Sequence, residues 1–188
     1  MMVDRRNSTA RRKYRQWGIT LIETMVVMTI LVILTAISLP AFKEMIINRR
    51  LEGKAREYVT HMSWARSLAV SSNQAVNLRI SETESASCYV VFHGPVNDCS
   101  CDANGTACAT PGNSTLLVIL LAHSEGVRLR ARTASAITRI DPTQGTLSPT
   151  LTAIFTADNG KAIHNISNIL GRTRSCTPGG ASFGFSSC

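Results

Sequence analysis

Gly18-Ile19-Thr20-Leu21-Ile22-Glu23, followed by Thr24 to Phe42 without a single charge, is the stretch that decides how this chain folds. Those nineteen uncharged positions, at about 1.5 Å of rise per helical residue, span roughly 28 Å, close to the roughly 30 Å hydrocarbon core of a bilayer. The segment is therefore long enough to cross a membrane as a helix. Glu23 stands at its threshold, where an ionisable group costs about 2.5–3.5 kcal/mol if it sits deep and normally has a partner. Residues 1–18 hold Arg5, Arg6, Arg11, Arg12, Lys13 and Arg15 against Asp4 alone. The positive-inside rule places that flank in the cytoplasm and points the rest of the chain outward. A cleaved secretory signal has a short apolar core with a small-residue cleavage site behind it; here the sensible scission lies ahead of the apolar run, after Gly18, so that the helix is retained.

Working outward from the apolar run, Ile47, Leu51, Ala55, Tyr58, Met62, Ala65 and Ala69 recur at steps of three and four, which predicts an amphipathic helix over 43–72 continuing the first. Pro40 lacks a backbone N–H and crowds the carbonyl of Ala36, so a bend or local unwinding is expected there. After Asn73 the periodicity changes. Strands are predicted over 75–80, 89–92, 116–122, 127–132, 151–157 and 161–169, separated by Gly, Pro, Asn and Ser. The fold class is therefore α+β: a long helix packed on a small antiparallel β domain. The organisation is a leader over 1–18, a membrane-spanning helix over 19–42, an amphipathic half over 43–72, and an outward β-rich domain with a C-terminal tail over 73–188.

The net charge of +8 is that of a nucleic-acid binder, but the leader alone accounts for +5, and bulk charge excludes little. The remaining charge is uneven. Residues 43–79 and 122–188 are basic, while residues 80–121 hold Glu82, Glu84, Asp98 and Asp102 and no base. The helix cluster of Arg49, Arg50, Lys54 and Arg56 reads as a solvated face or juxtamembrane anchor. Alternation in Val127-Arg128-Leu129-Arg130-Ala131-Arg132 puts three arginines on one face of a strand. Such a face is the wet side of a sheet or a set of phosphate contacts, with Lys161 a further cation for the second role.

Cys88, Cys99, Cys101, Cys108, Cys176 and Cys188 all follow the apolar run. In an oxidising compartment an even count implies up to three disulfides, whose connectivity the sequence leaves open. Cys99 and Cys101 are too close to pair with each other and should reach different partners. Residues 97–113 read as a stapled surface loop; zinc on Cys99, Cys101 and Cys108 is the functional alternative, but their spacing matches no common zinc motif. His61, His93, His123 and His164 are scattered without metal-ligand spacing, and neither a phosphate-binding glycine loop nor a nucleophile elbow is present, so no enzyme, metal or cofactor is expected. Near the end, Gly171-Arg172-Thr173-Arg174 sets two arginines on one side of an extended segment, where two guanidinium forks can bridge phosphate oxygens and the glycine permits close approach.

The basic leader ending in Gly18, the apolar residue after it, Thr20-Leu21-Ile22-Glu23 and the long helix with Pro40 resemble the prepilin signature of type IV pilins and type II secretion pseudopilins. That resemblance implies cleavage between Gly18 and Ile19 by a membrane prepilin peptidase and methylation of the new amine at Ile19. Phe is the usual residue there, and Ile19 is a departure. It also implies that Glu23 neutralises the N-terminus of a neighbouring subunit during filament assembly. With Trp64-Ala65-Arg66 on the helix and a small β domain ending in Gly171-Arg172-Thr173-Arg174-Ser175-Cys176, the chain resembles the FimT/GspH family of minor pilins and pseudopilins. Residues 81–114 and 177–188 have no clear counterpart in it. Through the family's Gly-Arg-x-Arg motif, the resemblance implies non-specific binding of double-stranded DNA by Gly171, Arg172 and Arg174 for natural transformation; Arg128, Arg130, Arg132 and Lys161 join them by charge. The expected partners are other pilins, the peptidase, the inner membrane and duplex DNA. A structural minor pilin or secretion pseudopilin without DNA binding is the alternative.

Overall fold

The computed structural model describes residues 18–110, 115–132, 136–180 and 182–188. The basic leader up to residue 17 lies outside the described residues, as do parts of the cysteine loop and of the C-terminal tail. Two compact units divide at Ala41/Phe42.

Helix α1 (Leu21–Ser72) begins at a local cap. Thr20 precedes it, accepting the Glu23 N–H on both its hydroxyl, at 3.3 Å, and its carbonyl, at 3.1 Å. Thr20 and Glu23 thus hold the first and last positions of a capping box, with a carboxylate where the helix dipole favours one. Within the first unit the helix exposes its large apolar side chains along its length and is long and apolar enough to cross a membrane. Its hydroxyls are internally satisfied. Thr29, Thr35 and Ser38 donate to the carbonyls of Met25, Leu31 and Leu34, at 2.6, 2.9 and 2.8 Å, which removes the cost of a free hydroxyl in hydrocarbon. Pro40 lies inside the helix, which continues through it, so that of the bend or local unwinding expected there the unwinding does not occur. One missing N–H leaves the hydrogen bonds of the flanking turns to carry the helix across.

In the second unit the expected stripe is the buried face: Leu51, Ala55, Tyr58, Met62, Ala65 and Ala69 are sealed from solvent. They face two antiparallel sheets. Strands β1 (Val76–Glu82), β2 (Ala86–His93), β5 (Thr115–Ala122), β7 (Ile137–Ile140) and β8 (Leu147–Ser148) form one, in the order β5-β2-β1-β7-β8. Strands β6 (Val127–Ala131), β9 (Leu151–Ala157), β10 (Ala162–Ser167) and β11 (Thr173–Cys176) form the other, in the order β11-β10-β9-β6. Alternate residues of both sheets join the helix stripe in one core, centred on Tyr58, whose ring meets Tyr89 and Phe155 edge-on at 5.3 and 5.7 Å. Asn165, fully buried, donates to the Ala55 carbonyl at 2.8 Å and accepts from Ser175 at 2.7 Å, tying helix, β10 and β11 together.

The six long predicted strands are present with ends shifted by at most three residues, whereas β3 (Cys99–Asp102), β4 (Gly105–Cys108), β7 and β8 come from stretches read as loop. The cysteine segment is a β-hairpin, β3 with β4, and Cys99 and Cys101 are buried within it. It covers the face of β2 that points away from the helix, packing on Val90 and Phe92. This explains why β2 reads as a continuous apolar run: both of its faces are covered. Disulfides join Cys88 to Cys101, Cys99 to Cys108 and Cys176 to Cys188. The first staples the hairpin to β2, the second closes the hairpin, and the third ties the tail to the end of β11. With every sulfur of the weighed zinc set bonded to another sulfur, Cys99, Cys101 and Cys108 offer no thiolate to a metal.

Candidate functional site: the arginine face and the filament helix

Antiparallel register aligns residues across the four-stranded sheet, and residues in one row share a face. Arg174 lies opposite Ile166, and Ile166 opposite Thr152, whose carbonyl accepts the Arg132 N–H at 2.9 Å. In the next row Cys176, His164, Ile154 and Arg130 stand side by side. Arg128 lies one row further, opposite Thr156. The outer face of this sheet therefore carries Arg128, Arg130 and Arg132 along one edge and Arg174 along the other, about 14 Å apart at the usual strand spacing. Arg128, Arg130 and Arg174 are exposed. Lys161 stands apart: at the far end of β10, its ammonium is 2.8 Å from Glu44 and holds that carboxyl below the usual carboxylate range.

Gly171 and Arg172 lie in the turn between β10 and β11. The Gly171 N–H donates to the Asn168 carbonyl at 3.0 Å, and the Arg172 N–H to the Asn168 side chain at 2.9 Å. Arg172 and Arg174 then line one shallow recess of about 270 Å³ with Ile166 and Asn168. Neither forms an ion pair among the described residues, so both guanidiniums are available to an external anion.

The turn is held from behind by a residue whose part the sequence did not reveal. Arg66 of α1 reaches between two loops and donates from Nε to the Gly145 carbonyl at 2.9 Å. Gly171 has φ +76°, and a Cβ there would lie 2.7 Å from that carbonyl and 2.8 Å from Arg66 Cδ and Nε. The glycine of the arginine turn is thus required by packing as well as by backbone conformation. No one-dimensional signal pairs positions 66, 145 and 171.

Three of the four histidines are structural. His61 meets the Tyr89 hydroxyl at 2.6 Å, His93 the Ala75 carbonyl at 3.0 Å, and His123 the Ser87 hydroxyl at 2.8 Å. His164 lies half-buried on the arginine face, its imidazole held below its usual pKa by burial and then by Arg132 and Arg130. At the other end of the chain, Gly18 and Ile19 are exposed just ahead of the cap, and Glu23 is exposed in the first turn of α1.

A long apolar N-terminal helix, whose second half is built into a disulfide-bonded β domain, defines a pilin-like subunit. The chain belongs to the GspH family of minor pilins and pseudopilins: the family profile described as Type II transport protein GspH matches residues 54–169, and the prokaryotic N-terminal methylation motif matches residues 14–39. Proteins of this kind assemble with other pilins in filaments. The type IV minor pilin FimU of Pseudomonas aeruginosa shares the fold, at 15% identity and a TM-score of 0.50, with 68% of this chain and 88% of that one covered. The minor pseudopilin EpsH of the Vibrio cholerae type 2 secretion system is aligned at 13% identity and a TM-score of 0.45, over 68% of this chain and 97% of that one. No curated protein sequence matches the chain.

Proposed function

We propose that this pilin-like subunit binds extracellular duplex DNA without sequence preference during natural transformation, using Gly171, Arg172 and Arg174. The observation that carries the reading is the pair of unpaired guanidiniums in one recess, on a turn fixed by Arg66 and Asn168. Arg130 and Arg132 extend the same face, with Arg128 further along it. Lys161, engaged with Glu44, contributes least. Few phosphate contacts give weak binding, with Kd of about 10⁻⁴–10⁻⁶ M at physiological salt, which several subunits along one fibre raise by avidity. In the same reading the leader over 1–18 stays cytoplasmic until the prepilin peptidase cuts after Gly18. Ile19 is then methylated, Glu23 pairs with a neighbouring N-terminus in the inner membrane, and the β domain stands in the periplasm before reaching the cell surface on a pilus.

The test is titration of labelled duplex onto the full chain in detergent at several salt concentrations. Each neutralised phosphate contributes about 0.9 to the slope of log K against log salt, so Arg172→Ala/Arg174→Ala should weaken binding and flatten the slope by about 1.8. Equal binding by the variant removes these arginines from the mechanism. A second reading, a structural pseudopilin of type II secretion without DNA binding, is favoured by the description of the matching family. It predicts no salt-dependent DNA binding by the wild-type chain.

A further inference from the structure

A second recess, of about 510 Å³, opens on the outer face of the four-stranded sheet, separate from the one between Arg172 and Arg174. Arg130, Arg132 and His164 border it, Ile154 lies at its base, and Pro178 and Cys188 of the tail line its remaining side. Its construction follows from register. Arg130, Ile154 and His164 share one row, so two guanidiniums from the end of β6 and an imidazole two strands away stand on the same side of the sheet, over an aliphatic side chain 6% exposed. The Cys176–Cys188 disulfide anchors the tail beside this row, because Cys176 is opposite His164.

Among the described residues neither Arg130 nor Arg132 takes part in an ion pair, so both guanidiniums keep their hydrogen-bond donors for an anion in the recess. The His164 imidazole is held below its usual pKa by burial first, and then by Arg132 and Arg130, which stand close enough to act on it. Two planar forks and a ring nitrogen around one concavity match the several oxygens of a tetrahedral oxyanion, and a guanidinium binds phosphate through parallel N–H···O bonds. The aliphatic base lowers the local dielectric and strengthens each such bond.

We propose that the recess formed by Arg130, Arg132 and His164 is a phosphate-binding site distinct from the arginine turn, taking either a backbone phosphodiester or a free phosphate group. It goes beyond the DNA reading: Arg130 and Arg132 extend the face proposed for DNA, but a free phosphate held in this recess requires neither Arg172 nor Arg174.

The experiment follows the His164 imidazole resonances of the full chain in detergent micelles by NMR, assigned by their loss in His164→Gln. Inorganic phosphate and a short blunt DNA duplex are added in separate titrations. Inorganic phosphate should move the His164 resonances saturably. Arg130→Gln/Arg132→Gln, which removes both charges while keeping an unbranched polar side chain at two exposed positions, should weaken that response on the order of tenfold or more. Arg172→Ala/Arg174→Ala should leave the response to phosphate intact. Movement with phosphate and not with duplex upholds the recess as a free-phosphate site, and movement with duplex alone upholds it as a phosphodiester site. Duplex binding lost in Arg172→Ala/Arg174→Ala while phosphate still moves His164 upholds two separate sites. His164 resonances that ignore both additions, or that respond equally in Arg130→Gln/Arg132→Gln, overturn the proposal. Failure of the DNA reading shows separately, as absent duplex binding with the phosphate response retained.

Discussion

Replacing Gly171 by alanine isolates the force that shapes the arginine turn, because the same domain supplies its own control. Gly171 and Gly160 both sit in the left-handed region, at φ +76° and +81°. A methyl group on Gly160 meets nothing within 4 Å, whereas one on Gly171 lands 2.7 Å from the Gly145 carbonyl oxygen and 2.8 Å from Arg66. Gly160→Ala therefore carries only the conformational penalty, about 1 kcal/mol. Gly171→Ala adds the displacement of Arg66, whose charged hydrogen bond to Gly145 contributes on the order of 1.5–3 kcal/mol before discounting for its partial exposure. A difference of about 2 kcal/mol between the two variants is expected. For a domain of this size it lowers Tm by roughly 4–8 °C more in Gly171→Ala than in Gly160→Ala. Thermal unfolding followed by far-UV circular dichroism, on both variants side by side, reads this directly. Arg66→Ala, which clears the space, should soften the effect of Gly171→Ala when the two are combined. Equal melting shifts for Gly171→Ala and Gly160→Ala would refute the interlock of Arg66 with the turn.

Other outcomes follow from the same packing and hydrogen bonding. Tyr58 is fully buried and its hydroxyl has no hydrogen-bond partner among the described residues, so Tyr58→Phe should stabilise by about 1 kcal/mol, raising Tm a few degrees; a drop would show that the hydroxyl has found one. In salt-dependent DNA titrations, Lys161→Ala should leave affinity nearly unchanged while Arg174→Ala lowers it, because Lys161 is held by Glu44. Cys176→Ser/Cys188→Ser opens a bridge between residues twelve apart and should cost about 2–3 kcal/mol while exposing residues 177–188 to limited proteolysis. The Asp141 carboxyl is held below its usual range by the Thr143 hydroxyl, then by the backbone N–H groups of Gln144 and Thr143. A depressed folded-state pKa gives stabilisation that is complete above the unfolded value and lost as pH falls through the folded one. Asp141→Asn should therefore leave neutral-pH melting little changed in its pH dependence and flatten the acid limb below about pH 4.

Much of the architecture was legible in one dimension because its causes are local. The helix stripe from Ile47 to Ala69 was read from steps of three and four, and every member is buried except Ile47, which is partly so. The longer strands were read from apolar runs: β2 and β9 bury most of their side chains, and β5 keeps most of its own partly covered. The short strands left none. β3 and β4 carry cysteine, serine, glycine and threonine, and become strands because two disulfides and the outer face of β2 hold them there. The cysteine segment, read as a surface loop, is for the same reason part of a second small core.

The chain's order of residues was sufficient for the membrane-length helix, the amphipathic second half and the presence of cross-links, because hydrophobic periodicity acts between neighbours a few positions apart. Tertiary structure alone decided which cysteines pair, that Arg66 braces Gly171 from more than a hundred residues away, and that Arg130, Arg132 and His164 share a face of the sheet while Lys161 turns to Glu44. These depend on strand register. A slip of one residue would send each of those side chains to the opposite face, and what prevents the slip is the packing of the whole core rather than any segment in it.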